Sequence, residues 1–270
     1  MKFSLAASRR LGVSVVACSI AICALALSVG SCAAGRARPP AGTSQPDKFL
    51  FDRGTEALND RKWLNAREYF RELVDSYPQS QFRADAKLGI ADSYLGEGTT
   101  EAKILAINEY REFLTFFPTH QRADYAQYKL AMAHYYQMLN PQRDQTETKA
   151  AIQEFDVFLD RYPNSPLMPE VRTRRREAMD RLADADYQVG VFYYRNRWYP
   201  GAVERFKALL VRDPEYTNRD AVYYHLGESL MRLQRPAEAL PYYERLVKEF
   251  ERSEYLDDAQ KRVAELKPRS

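Results

Sequence analysis

The sequence predicts an all-α protein, a solenoid of five helical hairpins, and three observations carry that prediction. The tetrapeptides Tyr77–Ser80 (YPQS), Phe117–His120 (FPTH) and Tyr162–Ser165 (YPNS) follow one another at intervals of 40 and 45 residues. Counting back from Pro78, an aromatic stands 8 residues earlier (Phe70), an alanine 12 earlier (Ala66) and a glycine 24 earlier (Gly54). The same intervals lead from Pro214 to Phe206, Ala202 and Gly190, and from Glu251 to Tyr243, Ala239 and Gly227. Small residues on two helices let their backbones approach, the aromatic one turn later fills the space beside them, and proline ends the second helix by removing a donor. This is the pattern of tetratricopeptide-like repeats. The alternative is a generic helical bundle.

The second and third hairpins keep the second-helix half of the pattern, with Ala106 and Tyr110 before Pro118 and Ala151 and Phe155 before Pro163. Their first-helix small residues, Ala91 and Ala133, stand 15 and 18 residues before those alanines instead of 12. The surplus is expected in the turn-rich stretches GEGTTE (96–101) and LNPQRDQTET (139–148), because insertions in a solenoid belong in loops. The next small residue follows Pro78, Pro118 and Pro214 by 13, 15 and 13 residues, but Gly190 follows Pro163 by 27. The extra sequence, PEVRTRRREAMDRLADADY (169–187), is rich in helix formers, lacks glycine and carries proline at its first turn. It predicts a long helix that extends the fourth unit and joins repeats one to three to repeats four and five. Its run Arg172, Arg174, Arg175 and Arg176 has Glu170, Glu177 and Asp180 for neighbours, which reads as a solvated face, the alternative being a grip on phosphate or lipid headgroups.

At the N-terminus, Lys2, Arg9 and Arg10 precede an uncharged stretch from Leu11 to Ser31. A basic start, an apolar run and small residues are the order of a secretory signal. Its ending, Val29–Cys32 (VGSC), resembles the lipobox of bacterial lipoproteins, whose cysteine is acylated, and this assigns residues 1–31 to a signal peptide and Cys32 to lipidation. An uncleaved membrane anchor is the alternative. Residues 32–47 then read as a flexible tether rich in Pro, Gly and Ala, residues 48–168 as repeats one to three, and residues 169–270 as the linking helix with repeats four and five. The three cysteines are Cys18, Cys23 and Cys32, so the mature fold is expected to hold without disulfides. Of 40 basic and 37 acidic residues, the three cations of the signal account for the excess, so bulk charge gives no support to a nucleic-acid partner.

The motifs of common chemistries are missing. His120, His134 and His225 are scattered without ligand spacing, and the sequence has no HExxH, GxGxxG, P-loop or GxSxG. No enzyme, metal or cofactor is expected. The 19 tyrosines, several in pairs, suit peptide contact on the concave face of a solenoid, with Tyr135 and Tyr194 as candidate contacts once one member of each pair is given to the core.

Lipobox, tether and five such hairpins together resemble the BamD family, lipoproteins of the β-barrel assembly machinery. The segments PTHQRADYAQY (118–128), RDQTETKAAIQEFDVFLDRYPNS (143–165) and DYQVGVFYYRNRWYPGAVERFKALL (186–210) carry the resemblance, which spans most of residues 48–253. It implies a scaffold anchored by lipid in the outer membrane, facing the periplasm. Its implied partners are the POTRA region of a BamA-like barrel protein, other Bam lipoproteins and unfolded outer-membrane proteins. It implies that the N-terminal repeats form a pocket for a substrate's targeting segment, placed by the repeat spacing at Phe51, Thr55 and Leu58 with Tyr94 beside them. It implies also that an arginine of a C-terminal repeat meets the last POTRA domain; the matching position is Arg205. The last unit departs from the pattern in lacking the closing proline. Ala33 is not the aspartate that retains some lipoproteins in the inner membrane. A periplasmic tetratricopeptide adaptor of peptidoglycan synthesis is the rival binding class, and the helical accessory domain of a lytic or transfer enzyme the rival from the enzyme class.

Overall fold

A computed structural model describes residues 38–267; the signal segment, Cys32 and the start of the tether lie outside the described residues. Among the described residues, eleven α-helices account for the fold. They pair as hairpins: α1 (Pro46–Asn59) with α2 (Trp63–Ser76), α3 (Arg83–Glu97) with α4 (Thr100–Phe116), and α5 (Ala123–Tyr135) with α6 (Thr146–Arg161). The long α7 (Met168–Arg195) pairs with α8 (Tyr199–Arg212), and α9 (Arg219–Arg232) with α10 (Pro236–Glu249). A single helix, α11 (Leu256–Leu266), closes the array. Each helix packs on its successor, and the first helices α1 and α3, and α7 and α9, also touch. This is a tetratricopeptide-repeat solenoid.

The regular spacing is a packing rule that the coordinates make visible. A Cβ added at Gly54 would lie 2.6 Å from the Phe70 ring, one at Gly190 would lie 2.7 Å from Cδ1 of Phe206, and one at Gly227 2.6 Å from the Tyr243 ring. In these three hairpins the aromatic of the second helix thus rests on the bare backbone of its own first helix. Ala66, Ala202 and Ala239 are fully buried where the helices cross.

The same three hairpins share their inner turn. Arg61, Arg197 and Gln234 take the left-handed conformation, with φ of 59°, 61° and 59°. The next residue's amide reaches back five positions, from Lys62 to the Ala57 carbonyl at 2.8 Å, from Trp198 to Tyr193 at 3.0 Å and from Arg235 to Leu230 at 3.0 Å. These are Schellman closures, which satisfy carbonyls left free at a helix end.

The two longer hairpins absorb their surplus differently. In the third, residues 136–145 form a ten-residue connection, as the sequence predicts. In the second, Gly96 and Glu97 remain in α3 and the chain turns on Gly98 and Thr99 alone, with Gly98 at φ 76°. The Thr99 hydroxyl accepts from the Ala102 amide at 3.1 Å, so helix α4 starts early and runs 17 residues. A good N-cap turned an expected loop into helix.

Between hairpins the turn is also a repeated device. Tyr77, Phe117, Tyr162, Asp213 and Phe250 leave their helices with φ between −124° and −134°. Four of the five precede proline, which enforces such an extended backbone. Phe250 adopts it without one, so the missing proline of the last unit changes nothing in the turn. The fourth residue of the motif has a task that the sequence reading did not assign. Ser80, Ser165 and Ser253 accept from the amide two residues on at 3.1–3.2 Å, and His120 does the same through Nδ1 at 3.2 Å. The serines also donate to an aspartate at the start of the same hairpin: Ser80 to Asp47 (2.7 Å), Ser165 to Asp124 (2.6 Å) and Ser253 to Asp220 (2.6 Å). The turns that end in serine therefore close one helix and tie the hairpin's last turn to its first, whereas His120 makes the amide bond alone. The bond from Ser80 holds the Asp47 carboxyl below the usual carboxylate range.

Three buried clusters form the core: Leu50 to Ala133, Ala131 to Val171, and Ala183 to Ala259. Helix α7 crosses from the second of these to the third. Its arginines are not merely solvated. Arg174 lies between Glu170 and Glu177, but Arg175 reaches Asp156 of α6 at 2.5 Å and Arg176 reaches the buried Asp213 after α8 at 3.0 Å. Two of the run thus clamp α7 to its neighbours.

Because Ala202 is fully buried at the α7–α8 crossing, Ala202→Leu is expected to cost about 1–3 kcal/mol by overpacking. Arg174→Ala, which breaks only exposed pairs, is expected to cost under about 0.5 kcal/mol. Thermal unfolding of both variants checks this; equal shifts of the midpoint would place the crossing elsewhere.

Candidate functional site

Two groups of side chains stand where the sequence places binding. In the first, Phe51, Thr55 and Leu58 lie on one face of α1, four and three residues apart. Phe51 is half-buried, stacked on Phe82 before α3 (centroids 5.0 Å apart, planes at 17°) and tilted on Phe70 at 6.0 Å. Thr55 spends its hydroxyl within the helix, donating to the Phe51 carbonyl at 2.9 Å, and Leu58 packs partly against the first core. Tyr94 sits in α3 within a different set of contacts. The Arg67 guanidinium lies 4.4 Å from its ring centroid, and Arg71 donates to its hydroxyl. Arg67 is itself buried, pairs with Glu97 at 2.8 Å and, among the described residues, has no partner for Nη1. The structure thus joins Phe51 to the α1–α3 seam, leaves Leu58 on the same face of α1 against the first core, and gives Tyr94 to a cation–aromatic stack with α2. The sequence reading misses Phe82, Arg67 and Arg71, although Phe82 stands four residues after Pro78 as Leu167 and Tyr255 stand after Pro163 and Glu251.

In the second group, Arg205 is exposed on α8 between the buried positions Ala202 and Phe206. Its guanidinium stands 5.8 Å from the Tyr193 ring centroid, and among the described residues no carboxylate lies within ion-pair distance. Tyr193 meets Trp198 edge-on at 4.7 Å and Phe192 at 5.9 Å. Phe192 and Trp198 are 61 % and 55 % exposed. An unpaired, always-charged guanidinium beside open aromatic rings is equipped to take a carboxylate in two parallel hydrogen bonds while apolar area is buried around it.

Of the tyrosine candidates, Tyr135 is partly buried and donates to Glu177 at 2.6 Å, whereas its neighbour Tyr136 is the exposed member. The structure reverses the expected roles of the pair, because packing against Phe155 draws Tyr135 inward. Tyr194 lies half-buried against His225 and Tyr199, at 5.4 and 5.8 Å. The histidines have structural surroundings: His134 bonds Glu147 at 2.7 Å, and His225 stands among Tyr187, Tyr194, Tyr224 and Tyr255, where burial pushes its pKa below the ordinary histidine value.

Comparison with known proteins places this arrangement. The YfiO family, described as outer membrane lipoprotein, matches residues 43–234, and a tetratricopeptide repeat matches residues 221–253. The chain belongs to the YfiO family. Its relatives include the "Outer membrane protein assembly factor BamD" of Caulobacter vibrioides, 29 % identical over 83 % of this chain and 72 % of the relative. The protein of the same name from Vibrio cholerae is 27 % identical over 63 % of this chain and 73 % of its own length. That from Xylella fastidiosa strain 9a5c is 23 % identical over 72 % of each. The family match takes in α1 with its aromatic seam, α7, and Arg205 on α8.

Proposed function

We propose that this protein is a scaffold of outer-membrane protein assembly, with no catalytic chemistry of its own. It is held to the outer membrane by lipid on Cys32 and faces the periplasm. The linking helix and last repeats, residues 169–270, bind the POTRA region of a BamA-like barrel protein through Arg205. The first three repeats, residues 48–168, receive unfolded outer-membrane proteins, with Phe51 at the α1–α3 seam and Leu58 on the same face of α1 as the contact area. Other lipoproteins of the machinery are further partners. The observation that carries the reading is Arg205. It is exposed, without an ion-pair partner among the described residues, and lies beside the Tyr193 ring, which Phe192 and Trp198 flank, at the position the family resemblance assigns to partner recognition. The names of the BamD relatives support the general role.

The test is calorimetric titration of the lipidated protein in detergent with the purified BamA-like protein of the same organism. Saturable binding is expected, and its absence overturns the reading. The anchor is tested separately. Cys32→Ala removes the acyl acceptor, so labelling with radioactive palmitate is expected to disappear and uncleaved precursor to accumulate. Labelling that persists in this variant overturns the assignment of Cys32.

A further inference from the structure

The segment Arg143–Thr146 (RDQT) lies at the end of the connection between α5 and α6, where no rule of repeat packing requires it. Most of its residues hold the connection in shape. Gln145 donates through Nε2 to the carbonyls of Asn140 (2.9 Å) and Arg143 (3.0 Å), and its Oε1 accepts from the buried Thr148 hydroxyl at 2.8 Å. Asp144 accepts from the Thr146 amide at 2.9 Å, and Arg181 of α7 donates to the Leu139 carbonyl at 2.9 Å. A loop fixed by its own side chains and pinned to α7 has little ordering left to undergo when something binds it.

Between this loop and α7 lies a cleft of about 640 Å³. Its loop wall presents Arg143 and Lys149, and its α7 wall presents Leu182, Val189, Phe192 and Tyr193. Both cations are exposed, and among the described residues neither lies within ion-pair distance of a carboxylate. At the far edge Arg212 is already neutralised by Asp186 at 2.7 Å. The unmatched charge of the cleft is therefore positive and sits on the loop at Arg143 and on the first turn of α6 at Lys149. Val189 and Phe192, on the opposite wall, are 39 % and 61 % exposed, apolar area that an inserted side chain would cover. Tyr193 belongs both to this wall and to the ring that Arg205 approaches. The cleft and the surface around Arg205 are thus continuous.

We infer that the cleft docks an acidic segment of the same partner that meets Arg205, one carrying an aromatic or long aliphatic side chain beside its carboxylates. The apolar side chain lies against Val189 and Phe192, and the carboxylates face Arg143 and Lys149. The inference rests on the reading of Arg205 as a partner contact, and it adds a second contact zone that the loop pre-shapes. It also gives the RDQT segment a reason to exist: Asp144, Gln145 and Thr148 hold the loop so that Arg143 and Lys149 stand free.

The experiment is calorimetry of the full lipidated protein in detergent with the purified BamA-like barrel protein, at two salt concentrations. The double variant Arg143→Glu/Lys149→Glu is expected to weaken binding at least about tenfold and to reduce its salt dependence, since like charges then face each other. Phe192→Ser is expected to weaken binding at least about fivefold with the salt dependence unchanged. Circular dichroism of both is expected to match wild type, because these side chains are exposed. Cleft variants that bind within about twofold of wild type, while Arg205→Glu loses affinity, overturn this inference and leave the partner reading standing. Wild-type protein that does not bind overturns the partner reading and this inference with it.

Discussion

Phe206→Ala is expected to destabilise the protein by about 3–5 kcal/mol, the usual cost of truncating a buried aromatic. The ring is fully buried, with Tyr187 at 5.9 Å and His225 at 6.1 Å, so it touches three consecutive helices, α7, α8 and α9. Its edge lies against the bare backbone at Gly190, where an added Cβ would come within 2.7 Å of Cδ1. Gly190→Ala is therefore expected to be destabilising too, although alanine is the better helix former by about 1 kcal/mol, because the ring has no room to retreat in a close-packed core. The combination is the sharper test. Once the ring is gone, the new methyl group enters the space it left, and Gly190→Ala/Phe206→Ala is expected to be more stable than the sum of the single losses by at least about 1 kcal/mol. Urea unfolding of the four proteins measures this directly. Additive losses would mean that glycine and ring do not share space, and the packing rule drawn from Gly54, Gly190 and Gly227 would fall.

That rule explains why so much of the fold is legible in the sequence. Where two helices must approach and one aromatic must fill the gap, geometry dictates the interval between the residues; three hairpins repeat it whole and the other two keep its second-helix half. What escapes the sequence is what packs without that constraint. Helix α11 has no partner helix and thus no interval to match. It covers the last hairpin through Ala259, which is fully buried, and through Arg262, which grips the buried Glu228 at 2.8 Å while Tyr243 donates to the same carboxylate at 2.7 Å. The three-residue surplus of the second hairpin became helix because Thr99 caps α4, a local hydrogen bond that outweighed the two glycines of GEG. The binding surfaces are less legible than the core for the same reason. Exposure follows no period, so neither Phe192 nor the free cations Arg143 and Lys149 stand out among the residues of their helices and loops. Arg205 could be named only through the family resemblance, since a lone arginine on a second helix otherwise reads as a solvated charge.

Arg205→Glu is the substitution with the largest expected effect on function. The side chain leaves the hairpin between two buried residues, Ala202 and Phe206, and is itself exposed, so reversal of its charge leaves the core untouched. Its nearest aromatic neighbour is the Tyr193 ring at 5.8 Å, a weak attraction at an exposed site, so little folding stability depends on the guanidinium. In a complex the balance changes. The rings of Phe192, Tyr193 and Trp198 are covered, water leaves, and a carboxylate of the partner paired with Arg205 becomes partly desolvated. Reversing one member of such a pair costs on the order of 2–5 kcal/mol, because the other charge is then buried against its like. Affinity for the BamA-like protein is accordingly expected to fall at least about tenfold, which corresponds to about 1.4 kcal/mol, with helix content and melting temperature near wild type. Arg205→Lys is expected to fall between the two, since lysine keeps the charge but loses the planar fork that holds a carboxylate by two bonds. A folded Arg205→Glu protein that binds as tightly as wild type removes this residue from the interface, and a lysine variant as weak as the glutamate one shows that fork geometry, rather than charge, is what the partner recognises.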